Sequence, residues 1–201
     1  MLMFSKAPQV LGQFDLRCPE MMFIQYLPLK MANSPLILTP DNLKWIEPLY
    51  EEVICEFDDY VYVTAKCMHQ TQGDSYNRLG FHIDGYGTDD INYVWSDCNP
   101  TEFYVQEFNL PDDHEGSMKA MAEQALCTAQ VIHSPLTLLR LDNTMVHRVS
   151  PYGRAGMRTF VKLSVSKNKY ALKGNAHNYL LDYDWKMVDR NVERNCPQGL
   201  K

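Results

Sequence analysis

The stretch TMVHRVSPYGRAGMRTFVKLS, residues 144–164, has the pattern of two strands joined by a loop. Its second half alternates in chemical character, which is typical of a strand that buries one face. One face carries Thr159, Val161, Leu163 and Val165, and the other carries Arg158, Phe160, Lys162 and Ser164. A loop over 150–156, with proline and glycine, separates this strand from a short one over 145–149. The stretch therefore predicts consecutive strands with a tight connection late in the chain.

Elsewhere in the chain, further short segments are rich in β-branched and aromatic residues and are bounded by turn residues. These predicted strands cover 60–66, 79–85, 92–95, 102–108 and 136–141. The first 38 residues predict irregular chain with one or two short strands. Short strands with tight turns favour a sandwich or barrel of the jelly-roll type. A doubly wound parallel sheet would need helices alternating with every strand.

Two helices interrupt the strands. The first is predicted to be amphipathic and about four turns long, with Thr39 as N-cap, Pro40 at the first helical position, and Leu43 and Ile46 on its apolar face. It ends near 57–59. The second covers 117–130, is rich in alanine and methionine, and has Ser117 as N-cap. The fold class predicted is mainly β with flanking α-helices.

Length, charge and composition narrow the class further. The 201 residues suit one domain, with 45% hydrophobic and 22% charged residues. The net charge of −6 and the lack of a Lys/Arg run disfavour a nucleic-acid partner without excluding a local groove. No stretch approaches the roughly 20 apolar residues of a membrane span. We therefore expect no membrane association.

The cysteines predict reduced thiols rather than a zinc ribbon or a disulfide framework. None of the six forms a CxxC pair. They are Cys18, Cys55, Cys67, Cys98, Cys127 and Cys196. The N-terminal sequence MLMFSKAPQV lacks the apolar run of a signal peptide. A cytoplasmic location is expected.

A candidate metal site begins at His82-Ile83-Asp84. Residues two apart on a strand point to the same face, so the imidazole and the carboxylate can lie side by side. His147 follows 65 residues later on another predicted strand. Two histidines and one carboxylate on one face form the facial triad of non-haem Fe(II) oxygenases, which leaves positions open for a cosubstrate and O₂. His82, Asp84 and His147 are therefore the predicted ligands and catalytic centre.

A candidate anion anchor, Arg158, follows His147 by eleven residues. A guanidinium binds a carboxylate in a bidentate geometry that lysine cannot reproduce. Arg148 and Arg154 are rivals for this role. Arg148 is adjacent to His147 and should point to the opposite face, and Arg154 lies in a glycine-containing turn. An HxD motif alone occurs by chance, but an HxD followed by a His and an Arg on later strands is more specific.

In GFHIDG (80–85) and TMVHRVSPYGRAGMRTFVKLS (144–164), the chain resembles the Fe(II)/2-oxoglutarate-dependent dioxygenase superfamily. The resemblance covers about 60–166. It implies a double-stranded β-helix (jelly-roll, cupin-like) core over 60–166, supported by residues 1–59 and covered by 167–201. It further implies Fe(II) held by His82, Asp84 and His147, and Arg158 binding the distal carboxylate of 2-oxoglutarate. The implied activity is that of a hydroxylase, an oxidoreductase that uses O₂ and releases succinate and CO₂.

One position departs from the superfamily pattern. Many members have a serine two residues after the arginine, where this chain has Phe160. Another side chain must then help Arg158 to hold the cosubstrate. The candidates are Tyr62, Thr64, Lys66 and Tyr93. The substrate, a small molecule or a residue on a protein, stays open, and the loop 85–95 and the helix 117–130 are where selectivity would lie.

Two other functions compete with the oxygenase hypothesis. One is a metal-dependent, cupin-like enzyme that uses no 2-oxoglutarate and so needs no anchor at Arg158. The other is a non-catalytic β-sandwich binding module in which the triad is a coincidence. The remaining histidines are interpreted as ordinary side chains outside the site: His69, His114, His133 and His177.

Overall fold

A computed structural model describes residues 1–53, 58–72 and 80–190 of the chain. In this part the chain forms eleven strands, one α-helix and two 3₁₀ helices. The strands are β1 (Leu2–Phe4), β2 (Gln9–Gln13), β3 (Met22–Lys30), β4 (Tyr60–Gln70), β5 (Ile91–Ser96), β6 (Thr101–Tyr104), β7 (Glu107–Asn109), β8 (Gln130–Ile132), β9 (Thr137–Leu141), β10 (His147–Val149) and β11 (Gly156–Ser166). The helices are α1 (His114–Gln124) and the 3₁₀ helices Asp41–Glu52 and Cys127–Ala129. The predicted mainly β class, with few helices, is confirmed.

The strands form antiparallel sheets that face each other across a cavity. The large sheet has the order β2-β9-β5-β11-β4-β3, and the small sheet has the order β10-β6-β8. A separate pair joins β1 to β7. His82 extends the edge of the small sheet, because its backbone exchanges two hydrogen bonds with that of His147, with N···O distances of 2.9 and 3.0 Å. Strand β11 lies centrally in the large sheet, between β5 and β4.

The outer face of the large sheet carries the main apolar core. Val161, Leu163 and Val165 of β11 are buried there. The 3₁₀ helix covers them with Leu43, Ile46 and Leu49, all fully buried. The other face of the sheet looks towards the small sheet and the cavity. The alternation predicted for this strand therefore separates an apolar core from a polar cavity.

The first predicted helix is present, but its type and cap differ from the prediction. Asp41–Glu52 is a 3₁₀ helix, and no side chain caps its start. The Thr39 hydroxyl instead contacts the Tyr50 hydroxyl at 2.9 Å. The buried residues of the helix are spaced by three, which matches the three residues per turn of a 3₁₀ helix. Pro48 inside the helix has no N–H to donate, which further disfavours an α-helix.

The second predicted helix begins earlier than expected. Asp113 is its N-cap, with its carboxylate accepting a hydrogen bond from the Gly116 N–H at 2.6 Å. Ser117, the predicted cap, lies inside the helix and donates its hydroxyl to the carbonyl of His114. The helix ends at Gln124 rather than 130. Aspartate and serine are both good N-cap residues, so local sequence did not distinguish them.

Three strand predictions are also corrected. The segment around His82 is a single bridge rather than a strand, because Gly80 and Gly85 have φ of +83° and +72° and bend the backbone on either side. The segment 102–108 divides into β6 and β7, and the N-terminal region has three strands rather than one or two. Four described cysteines are free thiols.

Some predictions fall outside the described residues. They concern Cys55, Leu79, Cys196 and the end of the tail. The first helix, by contrast, ends within the described residues, at Glu52 with Val53 as its C-cap, rather than near 57–59 as predicted. The described part of the tail packs on the large sheet: Trp185 and Tyr170 contact the Tyr62 ring, with centroids 6.4 and 4.3 Å from it. Among the described helices, none has the length and apolar character that crossing a bilayer requires.

Candidate metal centre

The three predicted metal ligands meet at one end of the cavity. One ligand atom from each of His82, Asp84 and His147 lies within 4.8 Å of the other two. The backbone pairing of the two histidines brings their rings together, with centroids 4.4 Å apart. Both histidines are buried. Within the described ranges, no other group of three His, Cys, Asp or Glu side chains could hold a metal ion.

Backbone carbonyls orient both imidazoles. The His82 Nδ1 lies 3.0 Å from the carbonyl oxygen of Gly80, and the His147 Nδ1 lies 2.9 Å from that of Met145. Because a carbonyl oxygen only accepts, each Nδ1 carries the hydrogen and each Nε2 carries the lone pair. Such an outer hydrogen bond is usual for metal-binding histidines, since it sets the tautomer and the ring orientation. Both rings are thus prepared to bind a metal through Nε2.

Asp84 is held in the charged form by its neighbours. Its Oδ2 lies 3.2 Å from the Lys162 Nζ and 3.8 Å from the His147 Nε2. Burial opposes ionisation of this carboxyl, but Lys162 and the two imidazoles more than offset burial and hold its pKa below its usual value. A carboxylate ready to coordinate a cation is the consequence.

Lys162 is a site residue that the sequence analysis did not single out. Its ammonium donates to Asp84 and to the Tyr26 hydroxyl, the latter at 3.0 Å. Burial disfavours the charged form, but Asp84 and Tyr26 reverse that effect and raise the pKa of Lys162 above its usual value. Tyr26 belongs to β3 where the pairing with β4 shifts register, and its φ is +46°. The alternation of β11 places Lys162 on the same face as Arg158. This alternation is the feature of the sequence that could have identified Lys162 as a site residue.

The cavity has a volume of about 210 Å³ and is lined by residues of both sheets. Its lining consists of Gln25, Tyr26, Thr64, Lys66, His82, Asp84, Val94, Thr101, Leu141, His147, Val149, Phe160 and Lys162. Of the four candidate partners for a cosubstrate, Thr64 and Lys66 are therefore in the cavity wall. Tyr62 is buried in an aromatic cluster and donates its hydroxyl to the Asn168 carbonyl. Tyr93 is buried in the apolar core on the opposite face of the large sheet.

Arg158 is close to the cavity but is not in its wall. Only 4% of this residue is exposed, and its Nε donates to the Cys98 carbonyl at 3.1 Å. Its guanidinium lies over the ring of Phe160, 5.2 Å from the centroid, and Phe160 does line the cavity. The Arg158 Nη2 is buried and has no hydrogen-bond partner among the described residues. Burial lowers the pKa of this guanidinium.

Arg148 and Arg154, the two rivals of Arg158, are not among the residues that line the cavity. Arg148 points away from the cavity, as predicted, and its Nε donates to the buried Glu102 carboxylate at 2.7 Å. Its guanidinium also covers the rings of Phe81 and Tyr104. The backbone of Arg154, by contrast, is held by the side chains of Asn99 and Gln70. The Arg148–Glu102 pair joins β10 to β6 and so supports the strand that carries His147.

Comparison with known proteins finds similarity among solved structures only. Neither the protein-family models nor the curated proteins include a match to this chain. Among solved structures, the chain is similar to an oxidoreductase of the 2OG-Fe(II) oxygenase family from Burkholderia pseudomallei. The TM-score is 0.39 at 10% identity, and the match covers 71% of this chain and 66% of the other, just under two thirds.

Proposed function

We propose that this protein is an Fe(II)- and 2-oxoglutarate-dependent oxygenase that hydroxylates a small molecule or a protein residue. The observation that carries the proposal is the cluster of His82, Asp84 and His147, with both imidazoles oriented through Nδ1. Imidazole nitrogen and carboxylate oxygen in a two-to-one set suit Fe(II), and three protein ligands leave positions open for substrates. A structural zinc site would instead be closed by a fourth ligand.

The strand order supports a double-stranded β-helix core. From β4 in the large sheet, the chain reaches the small sheet at His82 and returns to the large sheet at β5. It then enters the small sheet at β6 and, after β7 and α1, again at β8, and continues through β9 of the large sheet, β10 of the small and β11 of the large. Such passage between two facing antiparallel sheets is the jelly-roll pattern. The triad then lies between the sheets at the edge of the small one.

The chemistry supplied by bound Fe(II) would be activation of O₂, coupled to conversion of 2-oxoglutarate to succinate and CO₂. The protein's own part is to orient the ligands, exclude water and bind the cosubstrate. Arg158 is the proposed anchor for the distal carboxylate, since its Nη2 has an unused donor in a buried place. Phe160 would have to turn for direct contact. Lys66 and Thr64, already in the cavity wall, are the proposed helpers.

An anaerobic titration with Fe(II) and 2-oxoglutarate tests the proposal. Wild-type protein should develop the weak visible charge-transfer band of a chelated cosubstrate, and admission of O₂ should yield succinate. His82→Ala should remove the band and the bound metal. His69→Ala is the matched control, because His69 is exposed on β4 and should leave both unchanged. Protein that binds Fe(II) normally without His82 would refute the site.

The position of Phe160 favours one alternative, a metal-dependent enzyme on the same fold without 2-oxoglutarate. The ring occupies the cavity wall beside Arg158, where a hydroxyl would otherwise share the carboxylate. That enzyme would retain metal through the same three ligands yet show no metal-dependent affinity for 2-oxoglutarate. Calorimetry with Mn(II)-loaded protein distinguishes the two functions. Failure to retain any metal would instead support the non-catalytic module.

A further inference from the structure

Among the described residues that line the cavity, cations outnumber acids. Asp84 is the one carboxylate of this described lining, and Lys66 and Lys162 are its cations. Arg158 adds a third cation behind Phe160. Lys66 responds to the other two: burial, together with the charges of Lys162 and Arg158, lowers the pKa of Lys66 to about 8. A cavity of this kind in a chain of net charge −6 is a local positive region that attracts anions.

Metal binding would change the counter-ion of Lys162. In the structure the Asp84 carboxylate neutralises the Lys162 ammonium at 3.2 Å. Once that carboxylate also coordinates a divalent cation, its charge is shared between the two. The other contact of Lys162 is the Tyr26 hydroxyl, which is a dipole and cannot neutralise a full charge. The loaded site should therefore recruit an anion beside the metal, next to Lys162 and Tyr26.

We propose that Lys162 and Tyr26 form a second anion subsite beside the metal, which binds a carboxylate or phosphate group of the oxidised substrate. The substrate is then an anionic small molecule. This identification rests on the proposed oxygenase function. The subsite itself rests only on the contacts of Lys162, Tyr26 and Asp84.

Calorimetric binding of methanesulfonate to Mn(II)- and 2-oxoglutarate-loaded protein tests the subsite. Methanesulfonate is a weak metal ligand, and dimethyl sulfone is its neutral counterpart. The anion should bind and the sulfone should not. Lys162→Met should weaken anion binding about tenfold, the size of one charge-assisted hydrogen bond, and Lys162→Arg should restore much of it. Lys167→Met, at an exposed lysine just beyond β11, is the matched control.

Two further readouts do not depend on the stability of the Lys162 variants. Wild-type protein without Mn(II) should bind methanesulfonate more weakly, because the Asp84 carboxylate then neutralises the Lys162 ammonium by itself. Tyr26→Phe should weaken binding in the loaded protein while keeping the aromatic ring. Equal affinity with and without Mn(II), or equal binding of the sulfone, overturns the subsite.

The failures of the two proposals are distinguishable. If methanesulfonate displaces 2-oxoglutarate, the protein has one anion subsite and the inference is wrong, while the oxygenase function stands. If Mn(II)-loaded protein binds methanesulfonate through Lys162 but never binds 2-oxoglutarate, the oxygenase function is wrong and the subsite stands.

Discussion

The two faces of β11 belong to one strand in one register, yet their environments are opposite. On the outer face, Val161, Leu163 and Val165 lie in a filled apolar core under the 3₁₀ helix. On the inner face, Arg158 and Lys162 are almost as deeply buried, with 4% and 8% exposure, but face charged groups or the cavity. Burial is therefore common to both faces, and only the neighbours differ.

The two faces therefore contribute differently to the stability of the fold. Burying apolar side chains stabilises the fold by itself, roughly in proportion to the area removed from water. Burying ammonium and guanidinium groups opposes folding unless partners compensate. The inner face keeps such groups beside a carboxylate and two imidazoles that point at one place. We interpret it as a face whose composition serves ligand binding.

The largest effect is expected from the outer face. Leu163→Ala removes a fully buried side chain from the centre of the large sheet and should lower the free energy of unfolding by about 3 kcal/mol. Denaturant titration measures this loss. Mn(II) affinity measured on the folded protein should stay unchanged, since Leu163 faces away from the triad. A loss of metal affinity as large as that of His82→Ala would show that the two faces are not independent.

A smaller effect is expected when the inner ion pair is broken. Lys162→Met leaves the Asp84 carboxylate without its cation and should destabilise metal-free protein by roughly 2 kcal/mol, less than for a fully buried pair because the Asp84 side chain is 15% exposed. Adding Asp84→Asn should recover part of the loss, because the unpaired charge is then gone. Thermal melts of the single and double variants measure this. If the stability losses of the two single variants add up in the double variant, Lys162 and Asp84 are not energetically coupled.

The smallest effect is expected in the pH dependence of stability, to which Lys66 contributes. Its pKa is about 8 in the folded protein against 10.5 ordinarily, so the unfolded chain binds more protons between these values. The stability of wild-type protein should therefore rise with pH in this window, by roughly 1–2 kcal/mol more than that of Lys66→Met. Below pH 8 both states hold the proton and the difference should level off. Urea titrations at pH 7, 8, 9 and 10 measure it, and parallel curves for the two proteins would contradict the lowered pKa that burial, with the charges of Lys162 and Arg158, gives Lys66.

Much of the site could be predicted because it follows from local rules. The period of two in β11, and the same-face geometry of His82 and Asp84, depend only on backbone geometry. The mainly β class follows from short β-rich segments and turns. The cap of α1 and the type of the first helix could not be chosen locally. Asp113 and Ser117 are comparable caps, and packing on the large sheet selected the 3₁₀ spacing of Leu43, Ile46 and Leu49.

The pairing of side chains on the inner face of the large sheet needed the tertiary structure. Lys162 was visible as an inward residue, but Tyr26 is 136 residues away and reaches it through a shift of register in β3. Arg158 was predicted as a carboxylate anchor from its spacing to His147, but its position behind the Phe160 ring depends on how that ring packs. The sequence by itself determined which residue types share a face, because backbone periodicity is local. Only the tertiary structure decided which charges become neighbours, because electrostatic partners are set by distances between strands remote in the chain.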